Sequence, residues 1–225
     1  MRANKYGNFL TILLVLLIIS ILVGLGFLVY NVVKSKSNDD RTIEAIAEFD
    51  KTVEENDNKQ EKEEENNQNL ENLIKPPDSS SASSGTINKK IYYEGFVMIG
   101  YITIPKTNVK LPILDSVTPD SLNTAVAVLY PSNPQLNEPG NVVIIGHNYR
   151  NGKFFSDNDK LSVGDKVLIK DATGRELSYT IYQKFQTTEQ DTSFYTRNTN
   201  GVAEITLSTC TDDSKARIII LAKAD

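Results

Sequence analysis

The chain has 225 residues, which is enough for one ordinary domain with flanking segments. Its net charge of −5 arises in one stretch, because residues 39–75 hold 13 acidic and 5 basic side chains whereas residues 86–225 hold 15 of each. A neutral domain without a basic stripe gives no electrostatic basis for binding nucleic acid, and that class of protein is set aside. One cysteine and one histidine are too few for a structural Cys/His zinc site, and a lone cysteine forms no internal disulfide.

Residues 1–37 are predicted to form an N-terminal membrane anchor. Residues 6–33 carry no charge, and the apolar run over about 9–33 exceeds the roughly 20 residues that cross a bilayer core. A cleaved signal peptide has a shorter apolar region, of roughly 7–15 residues, followed by a small-residue cleavage site. Here Asn-Val-Val-Lys follows the run. We therefore predict a retained single-pass helix, and the short basic tail before it favours an extracellular position for the rest of the chain.

Residues 38–90 are predicted to form an acidic, serine-rich stalk. Four apolar residues recur at helical spacing near its start: Ile43, Ile46, Phe49 and Val53. This spacing predicts a short amphipathic helix over residues 41–54. The acidic run that follows has no apolar face to bury, and Pro76-Pro77 and the serines of 79–84 are typical of a flexible linker. The stalk is expected to be a spacer that is dispensable for chemistry.

Residues 91–225 are predicted to form an all-β domain with short helices. Eight runs rich in Val, Ile, Thr and Tyr predict strands over 97–104, 109–113, 125–129, 141–146, 165–171, 176–186, 203–208 and 216–222. Weak helical patterns lie at 119–123 and 153–161. Eight strands in about 130 residues imply a β-sandwich or a closed barrel.

Three polar or reactive side chains stand where predicted strands meet loops. His147 follows the apolar run 141–146, Cys210 closes the motif Thr-Leu-Ser-Thr-Cys, and Arg217 enters the last strand. A thiolate is a nucleophile, and a nearby imidazolium favours it and later protonates a leaving amine. A guanidinium supplies fixed donors for the oxyanion of acyl transfer. In a small barrel such strand ends can converge on one rim.

Each of these residues also has a structural interpretation. A lone cysteine in a strand is often buried filler, and a histidine at a strand end is often a hydrogen-bonded loop residue. Arg217 could instead pair with Asp212 or Asp213. From composition and periodicity alone, catalytic and structural interpretations both stay open.

The sequence and order of the motifs resemble those of the sortase family of Gram-positive bacteria. The resemblance spans roughly residues 92–223 and is carried by three motifs: Gly-Tyr-Ile-Thr-Ile-Pro at 100–105, Gly-His-Asn at 146–148, and Thr-Leu-Ser-Thr-Cys at 206–210 followed by Ala-Arg at 216–217. It implies the closed eight-stranded sortase-type β-barrel. It also implies His147 as acid/base, Cys210 as nucleophile and Arg217 as substrate and oxyanion stabiliser. Three neighbours are predicted to bind substrate: Asn148, Ser208 and Thr209.

The resemblance further implies a cysteine transpeptidase at the outer face of the cell membrane. Such an enzyme cleaves a sorting signal similar to Leu-Pro-x-Thr-Gly through a thioacyl intermediate. Its partners are secreted proteins with C-terminal sorting signals and a peptidoglycan precursor or other amine acceptor. We expect no cofactor and assign no metal ligands, with calcium dependence and the sortase class left open. Two alternatives are a membrane-tethered cysteine hydrolase and a non-catalytic extracellular β-domain that binds the wall or a partner protein.

Overall fold

The computed structural model describes the backbone of residues 5–71 and 90–225, and the side chains of residues 10–30, 39–56 and 90–225. Its internal contacts divide the chain into two units, Met1–Glu44 and Ala45–Asp225. The predicted Pro-Pro and serine-rich linker lies outside the described residues.

Helix α1 runs from Lys5 to Glu71. Within it, Leu10–Tyr30 is long and apolar enough to cross a bilayer. The helix continues well past residue 54, where the sequence analysis ends it. The chain between Gly26 and Pro76 contains no glycine or proline, and its Glu, Lys and Gln residues are good helix formers, which explains the added length.

Within the described part of the chain, nine strands form one sheet: β1 (Ile91–Tyr93), β2 (Phe96–Ile104), β3 (Val109–Leu114), β4 (Val126–Tyr130), β5 (Gly140–Ile145), β6 (Lys166–Asp171), β7 (Glu176–Thr187), β8 (Ala203–Cys210) and β9 (Arg217–Ala224). Their order is β1-β2-β3-β4-β5-β8-β9-β7-β6, and β6 pairs back onto β2. The β3–β4 and β5–β8 pairs are parallel, and the other pairs are antiparallel. Strands β2 to β9 therefore close the eight-stranded barrel that the sequence predicts, with β1 as a short added strand.

The sequence also predicts two short helical segments within residues 91–225, at 119–123 and 153–161. Helix α2 (Pro119–Thr124) is confirmed, and it begins with a capping box between Thr118 and Ser121. The helix predicted over 153–161 is wrong, because only a 3₁₀ helix, Asn158–Lys160, forms there. Phe154 adopts a φ of +54°, which interrupts a right-handed helix at the start of that segment.

The barrel interior is filled by alternate residues of its strands. Ile102, Ile144, Leu207 and Ile220 are among the fully buried members of this core. Closure of the barrel depends on Gly100 in β2, because a Cβ at that position would overlap the backbone carbonyl of the facing strand β6. The alternation of buried and outward-facing residues decides which side chains reach the outer surface.

A second core lies between the later part of α1 and strands β1 to β4. Ile46, Phe49 and Val53 are buried in it together with Met98 and Leu114. The sequence predicts that these three helix residues belong to the stalk, whereas in the structure their apolar face packs on the barrel. Burying such side chains contributes roughly 1.5–3 kcal/mol each.

Polar contacts accompany this packing. The Phe49 ring meets the Tyr101 ring edge-on, with centroids 5.9 Å apart. The Asp50 carboxylate accepts a hydrogen bond from Lys170 Nζ at 2.8 Å and from the Tyr101 hydroxyl at 3.3 Å. The segment from Ala45 therefore contacts both β2 and β6, on either side of the seam that closes the barrel.

Candidate active site

The three predicted catalytic residues lie on the outer face of the barrel wall. In β5, β8 and β9 the interior positions are held by residues such as Ile144, Leu207 and Ile218. Because side chains alternate along a strand, Cys210 and Arg217 point outward, and the backbone continuing from β5 places His147 on the same side. The site is therefore a feature of the barrel's outer surface near the ends of these strands.

Cys210 and Arg217 face each other on the adjacent strands β8 and β9. They are the last aligned pair of the β8–β9 ladder, and Arg217 Nη1 donates a hydrogen bond to Cys210 Sγ. Arg217 Nη2 donates to Glu189 Oε1 at 2.6 Å. Asp212 and Asp213, the partners considered in the sequence analysis, accept hydrogen bonds from Asn148 and from Thr211 instead.

His147 is brought beside Cys210 by the parallel pairing of β5 with β8. Ile145 stands opposite Ser208, and the Gly146 N–H continues the pairing by donating to the Ser208 carbonyl at 3.2 Å. His147 and Cys210 each lie two residues beyond this pair, so they occupy corresponding positions in the two parallel segments. Neighbouring strands lie about 4.8 Å apart, so this register brings the backbone of His147 next to that of Cys210.

Gly146 is required directly before His147. A Cβ at this position would lie 2.8 Å from Val126 Cγ1 and 2.9 Å from Phe155 Cδ2 inside the barrel. A larger residue would push this stretch of backbone outward and move the histidine. The Gly-His pair of the motif is therefore explained by packing on one side of the backbone and exposure on the other.

Asn148 ties the histidine loop to the cysteine loop. Its side-chain amide nitrogen donates to the Cys210 carbonyl at 3.0 Å and to Asp212 Oδ1 at 2.8 Å. The Tyr149 ring lies 5.0 Å from the His147 ring, and burial raises the pKa of Tyr149. These contacts hold the stretch of chain that directly follows His147.

Ser208 and Thr209 are both buried. Thr209 faces the barrel interior, and its hydroxyl donates to the Gly146 carbonyl at 2.8 Å. Ser208 lies on the same outward face as Cys210. The role of these two residues and of Asn148 in substrate binding stays a prediction, and the contacts described here hold the strand ends together.

Residues 188–202, between β7 and β8, form a wall beside the site. Phe194 and Tyr195 pack over the outward-facing Ile219 and Leu221 of β9. Asn141 Nδ2 donates to the carbonyls of Phe194 and Tyr195 at 3.0 and 2.9 Å, so this wall is fixed to the barrel. Burial raises the pKa of Tyr195, and the positive charge of Arg217 opposes that effect.

Sequence reasoning missed Glu189 and Tyr149. Glu189 is 28 positions away from Arg217, and no periodicity links the two. Tyr149 follows the histidine motif directly, so its proximity was a signal that could have been used. Among the side chains that the structure describes, no group of three or more His, Cys, Asp or Glu residues is arranged to hold a metal ion.

Comparison with known proteins defines the class of this fold and site. Residues 102–225, more than half of the chain, match the family model of the sortase domain. The chain therefore belongs to the sortase family, whose members are cysteine transpeptidases.

Three known proteins illustrate what the chain is similar to. It is 30% identical over 150 residues to sortase A of Bacillus anthracis, an alignment that covers 65% of this chain and 66% of that protein, just under two thirds of its length. The solved structure of a Clostridium perfringens sortase D5 transpeptidase is 32% identical, with a TM-score of 0.51, 57% of this chain covered and 79% of that one. Sortase C1 of GBS pilus island 1 is 22% identical with a TM-score of 0.57, covering 82% of this chain and 92% of that one, and shows the fold alone.

Proposed function

We propose that this protein is a membrane-anchored transpeptidase that attaches secreted proteins to the cell wall. Its substrates would carry a C-terminal sorting signal similar to Leu-Pro-x-Thr-Gly, and its acceptor would be an amine of a peptidoglycan precursor. The observation that carries the proposal is the contact between Cys210 and Arg217 on the face that His147 also joins. It combines a nucleophile, a fixed cation and a proton carrier on one surface.

In the first half of the reaction, the Cys210 thiolate attacks the threonine carbonyl carbon of the signal. The negative charge that develops on the carbonyl oxygen is stabilised by the Arg217 guanidinium, a planar cation with several N–H donors. His147, as the imidazolium, gives its proton to the departing glycine amine as the C–N bond breaks. The products are a thioester on Cys210 and a peptide with a free amino terminus.

In the second half, the acceptor amine attacks the thioester carbonyl. His147, now neutral, takes the proton from that amine, and the Cys210 thiolate leaves as the new amide bond forms. Arg217 again stabilises the tetrahedral oxyanion. The cycle returns the imidazolium and the thiolate to their starting forms, so atoms and charge balance without a cofactor. No cofactor is proposed for these steps, and activity measured after chelation tests whether the protein depends on calcium.

The N-terminal part of the chain supports a position at the membrane. Leu10–Tyr30 has the length and composition of a membrane span, and both proposed substrates meet at the outer membrane face. Protease added to intact cells should remove the C-terminal domain while the apolar helix remains in the membrane. Protection of the domain until the cells are lysed would contradict the proposed orientation.

The decisive experiment uses the full-length protein in detergent with a panel of Leu-Pro-x-Thr-Gly-like peptides. Mass spectrometry should detect an acyl adduct on Cys210 whose mass equals the peptide up to threonine. Adding an amine should convert the adduct into a transfer product. Release to water with every amine tested would indicate a hydrolase, and binding without an adduct would indicate a non-catalytic domain.

A further inference from the structure

The two terminal nitrogens of Arg217 have different partners. Nη1 donates to Cys210 Sγ, and Nη2 donates to Glu189 Oε1 at 2.6 Å. We propose that Glu189 is a positioning residue for the transfer reaction, which acts by holding the Arg217 guanidinium beside the Cys210 thiol. This inference rests on the proposed function of Arg217, and it assigns a role to a residue outside the catalytic trio.

The turn that carries Glu189 is fixed to the end of β7. Thr187, two residues earlier, is the cross-strand partner of Arg217 in the β7–β9 pair. Asp191, two residues later, accepts hydrogen bonds from the Thr187 hydroxyl at 2.5 Å and from the Ser193 N–H at 2.9 Å. These bonds from Ser193 and Thr187 lower the pKa of Asp191, so the turn is held by an ionised carboxylate at neutral pH.

The far end of the same segment is also attached to the barrel. Asn141 binds the Phe194 and Tyr195 carbonyls, and Arg197 Nη1 donates to the Phe194 carbonyl at 3.0 Å and to Thr206 Oγ1 at 2.6 Å. With both ends of the wall held, Glu189 is presented to Arg217 from a defined direction.

The chemistry explains why such a contact matters. An arginine side chain has many rotamers, and restricting them reduces the entropy that is lost when it binds the oxyanion. An ion pair through Nη2 leaves Nη1 and Nε free to face the sulfur and the developing oxyanion. The Glu189 side chain is 69% exposed and that of Arg217 is 28% exposed, so the pair is partly screened by solvent and its effect is modest.

Three variants separate positioning from other roles. Glu189→Gln keeps the shape and removes the charge, and Glu189→Asp keeps the charge on a shorter side chain. Glu138→Gln is the matched control, because Glu138 forms an ion pair of the same 2.6 Å length with Arg175. Glu138 precedes β5 whereas His147 follows it, so the control pair lies at the opposite end of that strand.

The variants are compared as full-length proteins in detergent with a Leu-Pro-x-Thr-Gly-like peptide. Glu189→Gln should lower kcat about two- to fivefold with KM unchanged, as expected for an exposed ion pair that acts in the transition state. The difference should shrink in about 1 M salt, which screens exposed pairs. Glu189→Asp should recover part of the loss, and Glu138→Gln should match the wild type. An unchanged kcat, or a raised one that shows Glu189 competing with substrate for Arg217, would overturn the proposal.

A second readout does not depend on the peptide. Alkylation of Cys210 by iodoacetamide at neutral pH should be about two- to fivefold slower in Glu189→Gln, and the change should have no effect in an Arg217→Ala background. Alkylation that is unchanged or faster, or an effect that persists without Arg217, refutes positioning through Arg217. If none of the tested peptides forms an acyl adduct with the wild type, the proposed function fails. The alkylation rates still decide whether Glu189 positions Arg217.

Discussion

Cys210 and Arg217 lie directly opposite each other where the β8–β9 ladder ends. In an antiparallel pair, residues that face each other point to the same side of the sheet. Their seven-residue separation would place them on opposite faces of a single continuous strand, but the connection between β8 and β9 reverses the chain direction. Thr211 holds this connection, since its N–H donates to the Ala216 carbonyl at 2.9 Å. The turn therefore sets the register that brings the guanidinium to the thiol.

This relationship makes Arg217 a test of the proposed mechanism. Arg217→Ala should lower the rate of acylation by roughly 10²–10³, the effect of losing an oxyanion donor. Arg217→Lys should recover only part of the rate, because a point charge lacks the planar fork of donors. The rate and the melting temperature are measured on the same samples. A variant that is less stable but fully active would limit Arg217 to a structural role with Glu189.

Cys210 and His147 should fail in different ways. Cys210→Ala removes the nucleophile, so no acyl adduct should form with any peptide. His147→Ala should keep a thiol that reacts with iodoacetamide, but more slowly at neutral pH, because one of the cations that favours the thiolate is lost. Its acylation rate should fall by roughly 10²–10⁴, the usual contribution of a general acid–base group. Equal alkylation rates in His147→Ala and the wild type would show that the imidazole does not reach the sulfur.

Stability at alkaline pH should depend on Tyr101. Burial, with the Asp50 carboxylate nearby, raises the pKa of Tyr101 to about 12, whereas a tyrosine in an unfolded chain ionises near pH 10. The folded state therefore holds more protons than the unfolded state between these values. The free energy of unfolding should fall as the pH rises through this window.

Tyr101→Phe isolates this effect, because phenylalanine keeps the ring contact with Phe49 and cannot ionise. The variant should be less stable than the wild type near neutral pH, since it loses the hydrogen bond to Asp50. It should then lose less further stability between about pH 10 and 12. Denaturation curves across this range measure both effects, and the buried Tyr179 is present in both proteins. Parallel pH profiles would show that Tyr101 ionises as readily in the folded state as in the unfolded state.

The strands were predictable from the sequence because their signals are local. Alternation of apolar residues and turn-forming residues at the ends identifies each of the eight barrel strands to within a few residues. The pairing of β5 with β8, which brings His147 to Cys210, is not local, and the motifs supplied it only through resemblance to a family. Glu189 carried no local signal, because its role arises from a turn and a strand pairing that meet in three dimensions.

The helix before the barrel shows the same limit. The spacing of Ile46, Phe49 and Val53 predicts an apolar face, but not what covers it. Its partners include Tyr101, whose hydroxyl bonds Asp50 across 51 positions of sequence. A periodic pattern identifies an amphipathic helix, and only the tertiary structure shows whether that helix belongs to a stalk or to a domain.

The position at which the folded domain begins can be tested by truncation. The sequence predicts that a protein starting at Ser84 folds and reacts, whereas the structure indicates that it loses part of a core. Loss of the helix that carries Phe49 and Asp50 would expose Met98 and Leu114 and leave Lys170 without the Asp50 carboxylate. Removing one buried aromatic costs about 3–5 kcal/mol, and each kcal/mol lowers the melting temperature of a domain of this size by about 2–4 °C. The melting temperature of the shortened protein should therefore be lower, by about 6 °C or more, than that of a protein that starts at Asp39.

Two point variants of the longer protein test the same contact without truncation. Phe49→Ala should lower the melting temperature by a comparable amount, because the Phe49 side chain is fully buried against the barrel. Ile43→Ala is the matched control, since Ile43 lies on the same helix but is 66% exposed, and its effect should stay within about 0.5 kcal/mol. Thermal denaturation compares all four proteins, and the acylation rate is measured below the lowest melting temperature. Equal melting temperatures for the proteins that start at Asp39 and Ser84 would show that the helix adds nothing to the fold. The whole of residues 38–90 would then be a stalk, as the sequence predicts.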